Sequence, residues 1–441
     1  MKLDKDFAAL ISLTSIILMS MIIFGGNRIW VWSLSSILIF TIFISVTVVK
    51  IGKCDGEYGV IHRIKWESAL FTLSVSWAAI QIVAQYIFID EVISINPERS
   101  AIFLSKTLSY GMIFWISINC AKSYNNTIKL IYLISYFSTG MALYSLVLYV
   151  FNVEAILWFE KTWGIGRVSG TFINPNSYAI FAGIGLAANV VLFIKKVSSG
   201  DYKSRNKIKK VVKIFSKIDS KIIFTASGII LNSSAVLLTG SRAGIISVII
   251  GIIALMVFRH GKGGIQKRDV IRIFTTAFIS TAIILFFSIN TLQTIFSDDQ
   301  TGFLRFLIYW QILGASDQFA LAGTGLGTFE DAFLPYRIPE LSWLTWDYAH
   351  NTYLELAFDL GLPAAFALLT ALGLIIWQCL RGSITRQHQH EPVVLALAVS
   401  CMVGAHALID FSIQMPSIAA LYTLIIGMGW THSFSRRHRH A

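Results

Sequence analysis

SYAIFAGIGLAANVVLFIK, residues 177–195, runs from Ser177 to Ile194 without a charge and reaches Lys195 only at its end. A helix needs about 20 such residues to cross the hydrocarbon of a bilayer. There every backbone amide must be satisfied within its own segment. A long run that does not alternate apolar with polar is therefore a helix and not a barrel strand. Similar runs recur on both sides of it. The spans they predict are about 7 to 25, 30 to 50, 66 to 89, 101 to 121, 128 to 151, 177 to 195, 222 to 239, 243 to 258, 271 to 290, 352 to 379, 392 to 410 and 415 to 432. With 55% hydrophobic and 14% charged residues, the chain reads as an all-α, polytopic membrane bundle of about 12 transmembrane helices.

Threading these spans places all but eight of the 36 Lys and Arg residues on one side. By the positive-inside rule that side is cytoplasmic and holds both termini. The net charge of +12 is thus a property of short loops, and a nucleic-acid partner is not expected. The cations left outside are Arg28, Arg99, Lys106, Lys161, Arg167, Arg242, Arg305 and Arg337. Cys54, Cys120, Cys379 and Cys401 show no paired spacing, which argues against a disulfide or a zinc site. The first apolar run follows Lys2, Asp4, Lys5 and Asp6 without a small-residue cleavage site, and reads as a retained helix.

Residues 1–441 read as one membrane domain with three loops of interest. The outer loop 152–176 holds an arginine motif. The inner loop 195–221 contains IKKVVKIFSKID, whose apolar and lysine faces suit a helix lying on anionic lipid. The outer loop 291–351 is too aromatic for a linker and is expected to fold as a cap over the membrane surface.

Four segments carry candidate chemistry. In GRVSGTFINPNSYA, residues 166–179, Gly166, Gly170 and Pro175 imply a tight backbone. Asn174 and Asn176 supply amides and a helix cap, and Arg167 has a planar fork suited to phosphate. In LLTGSRAGIIS, residues 237–247, Arg242 occupies a short turn between two apolar helices, where a long cation is expensive unless used. Arg305 in TGFLRFLIYW is a third outer cation. His350 closes the cap loop in YAHNTYLELAFDLGLP, followed by Asn351, and histidine accepts a proton from a hydroxyl near neutral pH. Glu355 and Asp359, one helical turn apart in an apolar stretch, are expected to face the interior and pair with a cation or with His350. His406 and Asp410, also at i, i+4, are expected to form a supporting pair. GTGLGTF, residues 323–329, follows no strand and reads as a turn of the cap. No P-loop signature occurs, and the adjacent Asp298 and Asp299 do not suit a metal-nucleotide site.

In this order the motifs, with ALIDFSIQMPS at residues 407–417, resemble the O-antigen ligase and polymerase superfamily of bacterial membrane glycosyltransferases. The resemblance covers roughly residues 160 to 430. It implies a glycan donor on undecaprenyl pyrophosphate at the outer leaflet of the bacterial inner membrane, and as acceptor either a glycan or lipid A core. It assigns Arg167 and Arg242 to the pyrophosphate, with Arg305 as a third cation, and His350 to the acceptor hydroxyl. Asn174, Asn176, Asn351, Glu355 and Asp410 support them. It implies no cofactor and no metal, and an inverting transfer. A chain-length regulator is a further partner the resemblance permits. Ligases and repeat-unit polymerases both fit. The cap and the FSIQMPS ending lean toward exopolysaccharide polymerases. A lipid-linked glycan transporter or flippase is the competing class, although the halves show no repeat.

Overall fold

A computed structural model describes residues 4–51, 57–87, 94–199, 219–259, 300–342, 346–386 and 388–434. The expected span 271–290, the amphipathic part of the inner loop and Cys54 lie outside them. Helices dominate the described residues, whose only strands form a two-stranded hairpin, β1 (Ala155–Ile156) and β2 (Phe159–Glu160). Nine described helices are long and apolar enough to cross a membrane. The large apolar side chains left uncovered on Ile29–Ile51, such as Ile37 at 63% and Val48 at 64% exposure, suit a hydrocarbon surround rather than water.

The chain divides into two compact units. The first comprises Met1–Lys122, Phe296–Gln378 and Val403–Thr431. It holds α1 (Lys5–Ile22), α2 (Ile29–Ile51), α3 (Glu57–Arg63), α4 (Lys65–Ile87) and α5 (Pro97–Cys120). The segment expected as a cap contributes to a core, in which Ile308, Ile312, Phe329, Phe333 and Trp346 are buried together with Phe358 of the helix that follows it. The glycines of 323–329 form the expected turn. Gly323, Gly325 and Gly327 all have positive φ, and a Cβ on Gly323 would lie 2.2 Å from the Asp359 carbonyl oxygen. Gln81 on α4 ties this turn down by donating to the carbonyls of Ala322 (2.6 Å) and Asp359 (3.0 Å).

One expected span is corrected here. Residues 352–379 are not a single helix but Thr352–Leu360, a break at Gly361 with φ +76, and Leu362–Thr385. A Cβ on Gly361 would meet the Leu321 carbonyl oxygen at 2.3 Å, so the break is where the glycine turn crosses the chain. Thr352–Leu360, nine residues long, cannot span a bilayer, so Glu355 and Asp359 do not lie in a crossing helix.

The second unit comprises Ser123–Ile295, Cys379–Met402 and His432–Ala441. Its α6 (Tyr124–Val150), α7 (Pro175–Ser199) and the helix Ser220–Leu238 approach closely because small residues line their crossings. A Cβ on Gly185 would come within 2.3 Å of Ser138 Oγ, and one on Gly228 within 2.2 Å of Asn189 Oδ1. Asn189, fully buried, accepts from Ser135 Oγ (2.7 Å) and donates to the Gly185 carbonyl (2.9 Å), which satisfies its amide inside the bundle.

Candidate functional site

In the first unit the last turn of the cap presents His350. The loop before it is pinned by Glu355, whose Oε2 accepts from the Ala349 amide at 2.7 Å. The residue after it is Asn351, whose Oδ1 caps the helix Thr352–Leu360 by accepting from the amides of Tyr353 and Leu354, both at 3.1 Å. Between these anchors His350 adopts φ +55, and its carbonyl accepts from Tyr309 Oη at 2.7 Å. The imidazole lies edge-on to Trp346 and Phe411. Nδ1 stands 3.2 Å from Oδ1 of the fully buried Asp410, and no described residue partners Nε2.

Asp410 is the hub of this cluster. Its Oδ1 accepts from the Phe411 amide (2.8 Å), and its Oδ2 meets Arg305 Nη2 at 3.5 Å. Burial alone would raise its pKa. The His350 ring and the Arg305 guanidinium outweigh burial and hold the carboxyl well below the usual range. Arg305, expected among the anion-binding arginines, thus has its fork turned to Asp410 and to the Ile409 carbonyl at 3.2 Å. The i, i+4 pairing expected between His406 and Asp410 does not form. Only their backbones bond, the His406 ring finds no hydrogen-bond partner, and the carboxylate turns to His350 instead.

Glu355 and Asp359 are buried as expected, but among the described residues they pair with neither a cation nor His350. Asp359 Oδ2 accepts from the Gly327 amide at 2.7 Å, as Glu355 does from Ala349. A backbone amide reaches each carboxyl where the sequence suggested charges, and Asp359 Oδ1 has no hydrogen-bond partner among the described residues. Burial pushes Glu355 up to about 7 and raises Asp359 well above its ordinary value.

The arginine motif lies in the second unit. Gly164, Gly166 and Gly170 all take positive φ, and a Cβ on Gly164 would strike Pro175 Cγ at 2.7 Å. The buried Lys161 meets Glu154 at 3.3 Å and donates to the Arg167 carbonyl, while the Gly166 amide donates to Glu154 at 2.7 Å. Burial, with Arg167 nearby, lowers the pKa of Lys161. Asn174 Oδ1 accepts from the Asn176 amide (2.8 Å) at the start of α7. Arg167 crosses to the next turn, where Nε donates to the Thr239 carbonyl (2.6 Å) and Nη2 to Asn176 Oδ1 (3.1 Å).

Arg242 is the first residue of the helix Arg242–Arg259, reached through Gly240 at φ +62 and Ser241, whose Oγ accepts from the Gly244 amide (3.1 Å). Arg167 lies against this same turn, since a Cβ on Gly240 would sit 3.3 Å from its Nε. A cation at the positive end of a helix dipole is placed against its own stability by about 0.3–1 kcal/mol, and the same end favours an anion. The exposed Arg242 therefore marks a place where negative charge is welcome.

Residues 227–369 match the O-antigen ligase family model. The segment holds Arg242, Arg305, His350, Asn351 and Glu355, and the match independently supports the O-antigen ligase and polymerase superfamily read from the motifs. Arg167, Asn174, Asn176 and Asp410 fall outside it. No curated protein matches the chain. The chemistry consistent with an O-antigen ligase segment on apolar helices is a membrane glycosyltransferase of ligase or polymerase type.

Several of the other cations expected on the outer side have local work. Arg99 pairs with Glu330 at 2.7 Å, Lys106 sits 3.8 Å over the Phe103 ring, and Arg28 lies 4.6 Å over Phe24. Like Glu355 and Asp359, Asp410 was expected beside another partner. Its i, i+4 spacing to His406 pointed along the helix, whereas its real partner lies across the fold.

Proposed function

We propose that the chain transfers a glycan from undecaprenyl pyrophosphate to a sugar hydroxyl, with His350 as general base and Arg167 and Arg242 as the pyrophosphate clamp. The observation that carries it is the imidazole with Nδ1 3.2 Å from a buried carboxylate and Nε2 without a partner among the described residues. Asp410 is the positioning residue. Its negative charge beside Nδ1 favours a proton there, which leaves Nε2 basic, and stabilises the imidazolium that forms. Arg305 holds Asp410 ionised in turn. The acceptor oxygen gives its proton to Nε2 and attacks the anomeric carbon. The bond to pyrophosphate breaks on the opposite face, and the configuration inverts. Arginine forks neutralise the leaving charge.

The proposal places this chemistry at the periplasmic face of the bacterial inner membrane, with both termini cytoplasmic. Repeat-unit polymerisation is the reading the aromatic cap favours. The family description favours the second reading, ligation to lipid A core. Protein reconstituted with an undecaprenyl-pyrophosphate oligosaccharide tests both. A ladder without lipid A core means polymerase, and product only with core means ligase. Movement of donor across the bilayer without a new glycosidic bond overturns the assignment in favour of a carrier.

A further inference from the structure

The second unit carries another charged cluster, at the opposite end of α7 from the arginine motif. Tyr124 begins α6, Lys195 lies near the end of α7, Arg259 ends the helix Arg242–Arg259 and Glu391 begins Glu391–His406. Tyr124 Oη donates to Glu391 Oε2 at 2.6 Å and receives Lys195 Nζ, which itself stands 3.6 Å from Oε1. The carboxylate is therefore shared between these two and accepts no hydrogen bond from Arg259. Arg259 is within electrostatic reach of both Glu391 and Tyr124, yet its one hydrogen bond is a long one from Nη2 to Ser198 Oγ at 3.4 Å. Its Nε and Nη1 are buried with no hydrogen-bond partner among the described residues. His390 and Arg386 lie within electrostatic reach of this group, and Arg386 Nη1 donates to the His432 carbonyl.

A buried guanidinium N–H without an acceptor is costly, and here two adjacent donors of one fork are left so. What the cluster lacks is an anion with several acceptor oxygens, beyond the single carboxylate present. All these helix ends fall on the side that charge asymmetry predicts to be cytoplasmic, where anionic phospholipid headgroups stand at this depth. We propose that Arg259 and Lys195 bind the phosphodiester of an anionic phospholipid at this face. The inference rests on the orientation read from the loops and not on the glycosyl-transfer reading.

The test uses the purified full chain, stripped of lipid in detergent, and follows thermal unfolding while short-chain phosphatidylglycerol, phosphatidylcholine or inorganic phosphate is added. Phosphatidylglycerol should raise the midpoint saturably, and the other two should not. Arg259→Gln and Lys195→Gln should each raise the half-saturating concentration about fivefold. Lys129→Gln, an exposed charge on α6, should leave it unchanged. Equal half-saturation in the parent and Arg259→Gln overturns the proposal, as does equal protection by phosphatidylcholine. Protection by inorganic phosphate alone assigns the cluster to a soluble oxyanion and overturns the lipid. If Arg259→Gln yields no folded protein, Arg259→Lys replaces it, and an unchanged half-saturation there overturns the proposal.

Discussion

The arginine turn and the histidine pocket are built by opposite means. Around Arg167 the turn itself comes from nearby backbone, three left-handed glycines, Pro175 and an Asn174 cap within a dozen or so residues, and the Arg167 side chain reaches out of it to Thr239. Around His350 it comes from side chains brought together from far along the chain, Tyr309, Arg305 and Asp410. The turn sends one long side chain, that of Arg167, to a distant carbonyl that it helps to hold, whereas the pocket gathers its members to orient one ring. Variants in the two regions should therefore fail differently.

The largest effect is expected in the pocket. His350→Ala should lower glycan transfer by about 10²–10⁴-fold while leaving donor binding and thermal unfolding near the parent values. Turnover at the parental rate would remove the base assignment. In the arginine turn Arg242→Lys should lose about 10- to 100-fold in transfer, the order of a charged hydrogen-bond pair, with stability unchanged. Arg167→Lys should lose activity and also melt earlier, because Nε no longer reaches the Thr239 carbonyl. Equal stability in the two lysine variants would break the distinction drawn between them.

The carboxyls give a smaller, pH-dependent contrast. Glu355 is raised to about 7 in the fold, so its contribution is fully present below about pH 4.3, its unfolded value, and is lost as pH rises through about 7. Asp410 is depressed, so its contribution is present above about pH 4 and is lost as pH falls toward its folded value. Glu355→Gln should flatten the melting profile between pH 4.3 and 7, and at pH 8 should be no less stable than the parent. A steeper profile in that variant would contradict the burial argument. The smallest effect is Asn351→Ala, which should cost about 1 kcal/mol in chemical denaturation through loss of the cap.

The same contrast explains what was legible beforehand. The crossing helices and the arginine turn follow from local pattern, because apolar length and glycine, proline and asparagine chemistry act over a few residues. The pocket was readable only in part. His350 and Asn351 stood out, but nothing in the spacing joins them to Asp410, and the i, i+4 pattern drew Asp410 to His406. The break at Gly361 did leave a mark. A glycine two residues before Pro363 is a helix-end pattern, overridden by the apolar run on either side.

One detail of the pocket reaches further. His350 holds a left-handed backbone that glycine or asparagine adopts with less strain, by a margin of order 1 kcal/mol. In a library selected for robustness alone, this position should drift toward those two residues. In one selected for turnover it should resist them. The split between the two outcomes would separate the imidazole's chemical value from its burden on the scaffold.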